Sequence, residues 1–123
     1  MNSEELRDYC LTKQEVTESF PFGSDTLVFK VCGKIFLLCS LSSNPLQFNV
    51  KSDPEKITEL REQYDCVLPG YHMNKRHWNT IIIDGSVSKQ QLQKWINESY
   101  RLIILSLPKT VQKNYFSDTN SSL

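Results

Sequence analysis

Two histidines, two fixed cations, two aromatic rings and two carboxamides fall within the nine residues from Tyr71 to Asn79, and these include both histidines of the chain. Such a set suits the recognition of anions. Lys75 and Arg76 carry permanent positive charge, His72 and Asn74 can donate to phosphate oxygens, and Tyr71 or Trp78 offers a ring on which a base can stack or which can pack beneath a loop. Lys30, Lys34 and Lys51 extend the basic set if they face the same way. The candidate nucleic-acid or anion site is therefore Lys30, Lys34, His72, Asn74, Lys75, Arg76 and His77, with Tyr71 and Trp78 as aromatic support. A purely structural role stays open beside it. Two adjacent cations also make an ordinary solvated turn, and His72 and Trp78 also serve to hold a hairpin together through backbone hydrogen bonds.

Other chemistries find less support in the spacing. His72 and His77 lie five residues apart, and a metal would require a further ligand, but no cysteine or carboxylate stands at a zinc-site spacing from them. Cys66 is six residues upstream of His72 with Pro69-Gly70 between. Either histidine titrates in the useful range for proton transfer. Yet no glycine-framed serine, Cys-His signature or carboxylate pair accompanies them. The expectation is a protein that is not an enzyme and holds no metal or cofactor.

The elements that must position the loop follow from hydrophobic periodicity. Asn2 or Ser3 caps a helix running to about Thr12, with Leu6, Tyr9 and Cys10 at helical spacing. Residues 13–25, broken by Phe20-Pro21-Phe22-Gly23, read as an ordered connection. Thr26–Val31 and Lys34–Ser40 form a hairpin through Cys32-Gly33. Both alternating sets of the second strand are apolar, which predicts cover on both faces. Gln47–Lys51 alternates as a third strand, with Phe48 and Val50 inward.

Ser52-Asp53-Pro54-Glu55 has the pattern of a capping box, and Ile57, Leu60, Arg61 and Tyr64 mark the helix after it. A short strand at Cys66-Val67-Leu68 ends at Pro69-Gly70, and Trp78 to Asp84 returns as a strand. The stretch Tyr71 to His77 would then be a hairpin connection. Ser88 and Gln91 start the longest helix, with Leu92, Trp95, Ile96, Ser99, Ile103 and Leu107 on one face and Pro108 as its stop.

Strands in runs predict an α+β fold of two layers, an antiparallel sheet with helices on one face in the order α-β-β-β-α-β-β-α. The 123 residues make one domain over 1–108, followed by a polar tail, 109–123, that frays. The sheet's second face would be covered by loops, a homodimer or other protein partner, or a ligand. Lysine plus arginine, 14, equals aspartate plus glutamate, 14, so attraction to a polyanion must come from a local patch. The four cysteines form no C-x-x-C pair and read as buried thiols. The acidic start, MNSEELRDYC, has no signal-peptide pattern and no run reaches membrane-spanning length, so the expectation is a cytoplasmic protein without membrane contact.

The segments Pro21–Gly23 (PFG), Thr26–Val31 (TLVFKV), Gly33–Phe36 (GKIF), Asp53–Glu55 (DPE) and above all Pro69–Thr80 (PGYHMNKRHWNT) closely resemble the MmcQ/YjbR family of small bacterial proteins. The likeness spans roughly Leu6 to Leu107. It implies a CyaY-like, or frataxin-like, α+β fold and DNA binding through a double-wing motif, the wings being the turns at Cys32-Gly33 and within His72 to His77. A frataxin-like topology also invites iron. Glu4, Glu5 and Asp8 are acidic but form no dense ridge, so iron is not carried over. Two further functions fit the same residues: a protein-interaction or chaperone-like module on the open sheet face, and a small anionic ligand near the His72–His77 loop.

Overall fold

Asn2 starts the first helix by a reciprocal pair of bonds: its Oδ1 accepts from the Glu5 N–H at 2.8 Å, and the Glu5 carboxylate accepts from the Asn2 N–H at 3.2 Å. This helix, α1, covers Ser3–Leu11 and buries Leu6 and Cys10. The computed structural model describes residues 1–70 and 73–116. Strands β1 (Val16–Ser19), β2 (Thr26–Val31), β3 (Lys34–Ser40) and β4 (Gln47–Lys51) come after α1. After them come α2 (Ile57–Gln63), β5 (Val67–Pro69), β6 (Trp78–Ile82), α3 (Lys89–Leu105) and α4 (Lys109–Phe116). All strand pairings are antiparallel, in one six-stranded sheet of order β1-β2-β3-β4-β6-β5. The two-layer α+β architecture is as expected.

The β2–β3 hairpin turns at Cys32 (φ 50°) and Gly33 (φ 77°). Two successive left-handed residues make the tight turn whose twist matches the flanking strands. Glycine adopts that conformation freely, while Cys32 does so under strain that the hairpin imposes.

Four local expectations need correction. Val16–Ser19, within the expected connection, is an edge strand; its Glu18 carboxylate receives both Nε and Nη2 of Arg7 on α1 at 2.7 Å. The Asp53-Pro54-Glu55 segment makes a turn instead of a helix start: Asp53 Oδ1 accepts from the Glu55 N–H at 3.0 Å, and α2 begins after Lys56 without a side-chain cap. The segment from Lys109, expected to fray, carries α4, because Val111 and Tyr115 turn inward and Tyr115 is only 8% exposed beside the Cys32 thiol. Residues 117–123 lie outside the described residues.

The fourth correction concerns β3. Phe29 pairs with Leu37 but Lys30 pairs with Ile35, so Phe36 is an extra residue, a β-bulge. The bulge sends Phe36 and Leu37 both to the helix side. Phe36 meets the Tyr100 ring of α3 edge-on at 5.4 Å, and Leu37 is fully buried. Ile35 and Leu38 are left on the other face, Ile35 half-buried there. Apolar residues at both alternations thus reflect a phase shift as well as cover on two sides.

Ser99 repairs the ladder at this break. Fully buried on α3, it donates to the Phe36 carbonyl at 2.5 Å and accepts from the Lys51 N–H at 2.8 Å. A serine in the apolar stripe of a helix therefore satisfies two backbone groups that the sheet leaves over.

The core lies between the sheet and α1, α3 and α4, centred on Phe29, Phe36, Leu37, Phe48, Ile96 and Ile104. Burial pushes the thiol of Cys10 from 9.0 up to about 12 and that of Cys39 up to about 11. Above pH 9 the unfolded chain ionises these thiols while the folded chain holds them protonated. Stability is therefore full below pH 9 and falls as pH rises toward 12. Urea midpoints measured along that range are expected to decline, and to decline less steeply in Cys10→Ala. Equal slopes would show that other groups govern the alkaline loss.

Candidate nucleic-acid interface

Residues directly opposite in a ladder share a face, so the register sorts every strand side chain. The helix side receives Phe29, Val31, Lys34, Leu37, Phe48, Val50, Asn79 and Ile81. The open side receives Lys30 and Ile35, Val28 and Leu38, Thr26 and Ser40, then Asn49 and Lys51 on β4 and Trp78 and Thr80 on β6. Lys30 and Lys51 thus share the open face. Lys34 does not; its Nζ lies 3.4 Å from Ser106 Oγ at the end of α3. Glu18 is the sole carboxylate on the described strands; it opposes Phe29 and so takes the helix side, where Arg7 of α1 holds it. The open strand face accordingly carries lysines and no acid, although the chain's net charge is +0.

The loop from Gly70 to His77 joins β5 to β6. Tyr71 and His72 are outside the described residues, so the roles given to them are too. Asn74 organises the second half of the loop: its Oδ1 accepts from the Arg76 N–H at 2.9 Å, and its carbonyl accepts from the N–H groups of His77 and Trp78, each at 3.0 Å. Asn74, Lys75 and Arg76 are exposed, whereas His77 and Trp78 are half-buried. Gly70 closes the base of the loop through its N–H to the Trp78 carbonyl at 3.0 Å. A Cβ there would stand 3.1 Å from both Trp78 Cβ and Trp78 O, so glycine lets the two strands approach.

Arg61 of α2 clamps this loop from the helix side. Its Nε donates to Asn79 Oδ1 at 2.7 Å, and its Nη2 donates to the carbonyls of Lys75 and Trp78, the latter at 3.2 Å. Asn79 is fully buried and sets its amide nitrogen 3.5 Å from Ser52 Oγ, while the Ser52 N–H donates to the His77 carbonyl at 2.8 Å. The loop therefore presents its polar tip on a backbone held from two directions. Arg61 is legible in the sequence only as a member of the helix pattern; an arginine among Ile57, Leu60 and Tyr64 is the available signal. His77 Nδ1 is buried and has no hydrogen-bond partner among the described residues. Among those residues no three of His, Cys, Asp and Glu gather as a metal site.

The open face is concave. Phe22, from the loop before β2, and Met73, from the β5–β6 loop, rise on either side of Ile35 and Leu38 around a space of about 440 Å³. Thr26, Ser40 and Asn49 supply its polar rim. The expected loop cover is thus real but partial. Both hairpin turns, at Cys32-Gly33 and at residues 70–77, leave the same end of the sheet, since β3 and β6 both start there and β2 and β5 both end there.

No described helix is long and apolar enough to cross a membrane. The family model YjbR matches residues 11–102. YbdF of Escherichia coli O157:H7, described as uncharacterized, is 40% identical over 94 residues, which cover 76% of this chain and 77% of that protein. YjbR of Escherichia coli K12, also described as uncharacterized, is 30% identical over 113 residues, 92% of this chain and 96% of its own. Among solved structures, Deinococcus radiodurans DR2400, with domain DUF419, superposes with a TM-score of 0.85 at 35% identity over 93% of this chain and 87% of that one. A Pseudomonas syringae protein does so with a TM-score of 0.71 at 25% identity, over 83% of this chain and 98% of that one. The loop motif, the matched span and these relatives agree: the chain belongs to the YjbR family.

Proposed function

We propose that this protein is a cytoplasmic DNA-binding protein without catalytic activity, in which the two hairpin turns act as wings on a CyaY-like fold. One observation supports this reading above others: both turns leave the same end of the sheet, next to a strand face bearing Lys30 and Lys51 and no carboxylate. Such an asymmetry gives a neutral protein a local field that attracts phosphate. Asn74 and Arg76 stand exposed at one tip, and Lys34 stands beside the other. Exposed Phe22, at the wall of the open-face concavity, favours a second reading, an apolar protein partner or a second copy of the chain over that face.

Anisotropy of a labelled duplex measures the first reading directly. Affinity is expected to fall steeply between about 50 and 200 mM salt, as counterion release requires. Arg76→Ala is expected to weaken binding several-fold for every sequence and to reduce the log–log salt slope by about 1. An Arg76→Ala/Lys34→Ala protein that binds like the wild type sinks the proposal.

A further inference from the structure

Resting on the nucleic-acid reading, we infer that the concavity on the open sheet face seats one unpaired nucleobase, with its attached phosphate held by Lys30 or Lys51. The shape and the chemistry agree on this class of ligand. The floor, Ile35 and Leu38, is apolar, and the walls are the thioether of Met73 and the ring of Phe22, which is 67% exposed and so free to stack. At about 440 Å³ the space falls in the range of small-ligand sites. Its polar groups lie at the edge, where a planar base carries its acceptors. Thr80 Oγ1 donates to Asn49 Oδ1 at 2.5 Å, which leaves the Asn49 amide nitrogen to donate outward. Ser43 Oγ donates to Ser40 Oγ at 2.8 Å, which leaves the Ser40 proton available in the same way.

Charge separates this ligand from a neutral one. Lys30 is the ladder partner of Ile35, and Lys51 lies beyond Asn49 on β4, so both cations border the apolar floor on the same face. A lipid tail or an apolar peptide would leave both cations and the edge donors without partners. A nucleoside phosphate offers its phosphate to these cations and its base-edge acceptors to the donors. The base must be unpaired, because in a duplex its faces are stacked and its edge is occupied.

The test uses the full chain and a labelled deoxythymidine strand of about ten nucleotides, alongside the labelled duplex. Aromatic stacking of this kind predicts that Phe22→Ala weakens single-strand binding at least about fivefold, with Phe22→Trp restoring it. Amide NMR signals of Ile35, Leu38 and Asn49 are expected to shift with thymidine monophosphate and to stay in place with inorganic phosphate. If Phe22→Ala binds the strand as tightly as wild type, the base seat is overturned, while a duplex affinity sensitive to Arg76→Ala would leave the wing reading standing. If the mononucleotide moves those signals although no strand or duplex binds, the seat stands with a free nucleotide as its occupant and the wing reading falls. If neither strand nor mononucleotide reaches these residues, the inference is wrong.

Discussion

Replacing Ser99 by alanine is expected to destabilise the protein by about 3 kcal/mol, from two buried backbone groups left without partners at about 1–3 kcal/mol each. The Phe36 carbonyl loses its donor and the Lys51 N–H loses its acceptor, at a point where the bulge interrupts pairing across the sheet. For a domain of this size the melting temperature should fall by roughly 10 °C. Ser106→Ala at the C-cap of the same helix is the control: its hydroxyl donates to the Ile103 carbonyl of the last turn and accepts from the exposed Lys34 ammonium at 3.4 Å, so no buried backbone group depends on it across the sheet. Removing it should change stability by less than about 0.5 kcal/mol. Urea denaturation of wild type and both variants checks the pair. A Ser99→Ala loss no larger than the Ser106→Ala loss would mean that water or a relaxed strand takes over both bonds.

Arg61→Ala carries the other large effect, about 2–4 kcal/mol, because a charged donor shared among three acceptors is removed at once. Two of those acceptors are backbone carbonyls, of Lys75 and Trp78, and the third is the fully buried Asn79 side chain. Arg61→Lys should recover little, since one ammonium on a flexible stem does not reproduce the planar fork. The effect reaches the site. Amide exchange at His77 and Trp78, whose N–H groups bond to Asn74, should accelerate by more than the global stability loss explains. DNA affinity should drop although Arg61 itself contacts no phosphate in the proposed mode. Unchanged exchange in the loop would show that the Asn74 turn holds without its clamp.

The parts of this fold that are legible in the sequence are those whose cause is local. Cys32-Gly33 between two β-rich runs, Asn2 with Glu5, and Ser88 with Gln91 each carry their own turn or cap chemistry, and the structure forms all three. What stays hidden depends on partners distant in sequence. Val16–Ser19 has one apolar residue and becomes a strand because β2 offers an unpaired edge and Arg7 holds Glu18. Tyr115 draws α4 inward through a contact with Cys32, 83 residues earlier. The phase of β3 is invisible to periodicity because a bulge among Ile35, Phe36 and Leu37 substitutes one apolar residue for another. The same insertion decides on which face Lys34 and Ile35 lie. At the site, the exposed tip of Asn74 to Arg76 can be read from residue types alone. The clamp from α2 and the concavity between two loops cannot, since both join segments that only the fold brings together.

The common root of the two hairpin tips has a metric consequence. One tip grows from β2 and β3 and the other from β6 and β5, with β4 between them. Their midlines are therefore three inter-strand steps apart, or about 14 Å measured across the sheet. Backbone hydrogen bonds set that spacing, so side-chain replacement on either face changes what the tips touch without changing their separation. Each pair of residues added to a turn, one on each arm, lengthens its reach by about 3.3 Å along the strand direction and leaves the gap as it was. Reach and chemistry can thus change while the gauge between the two tips stays constant.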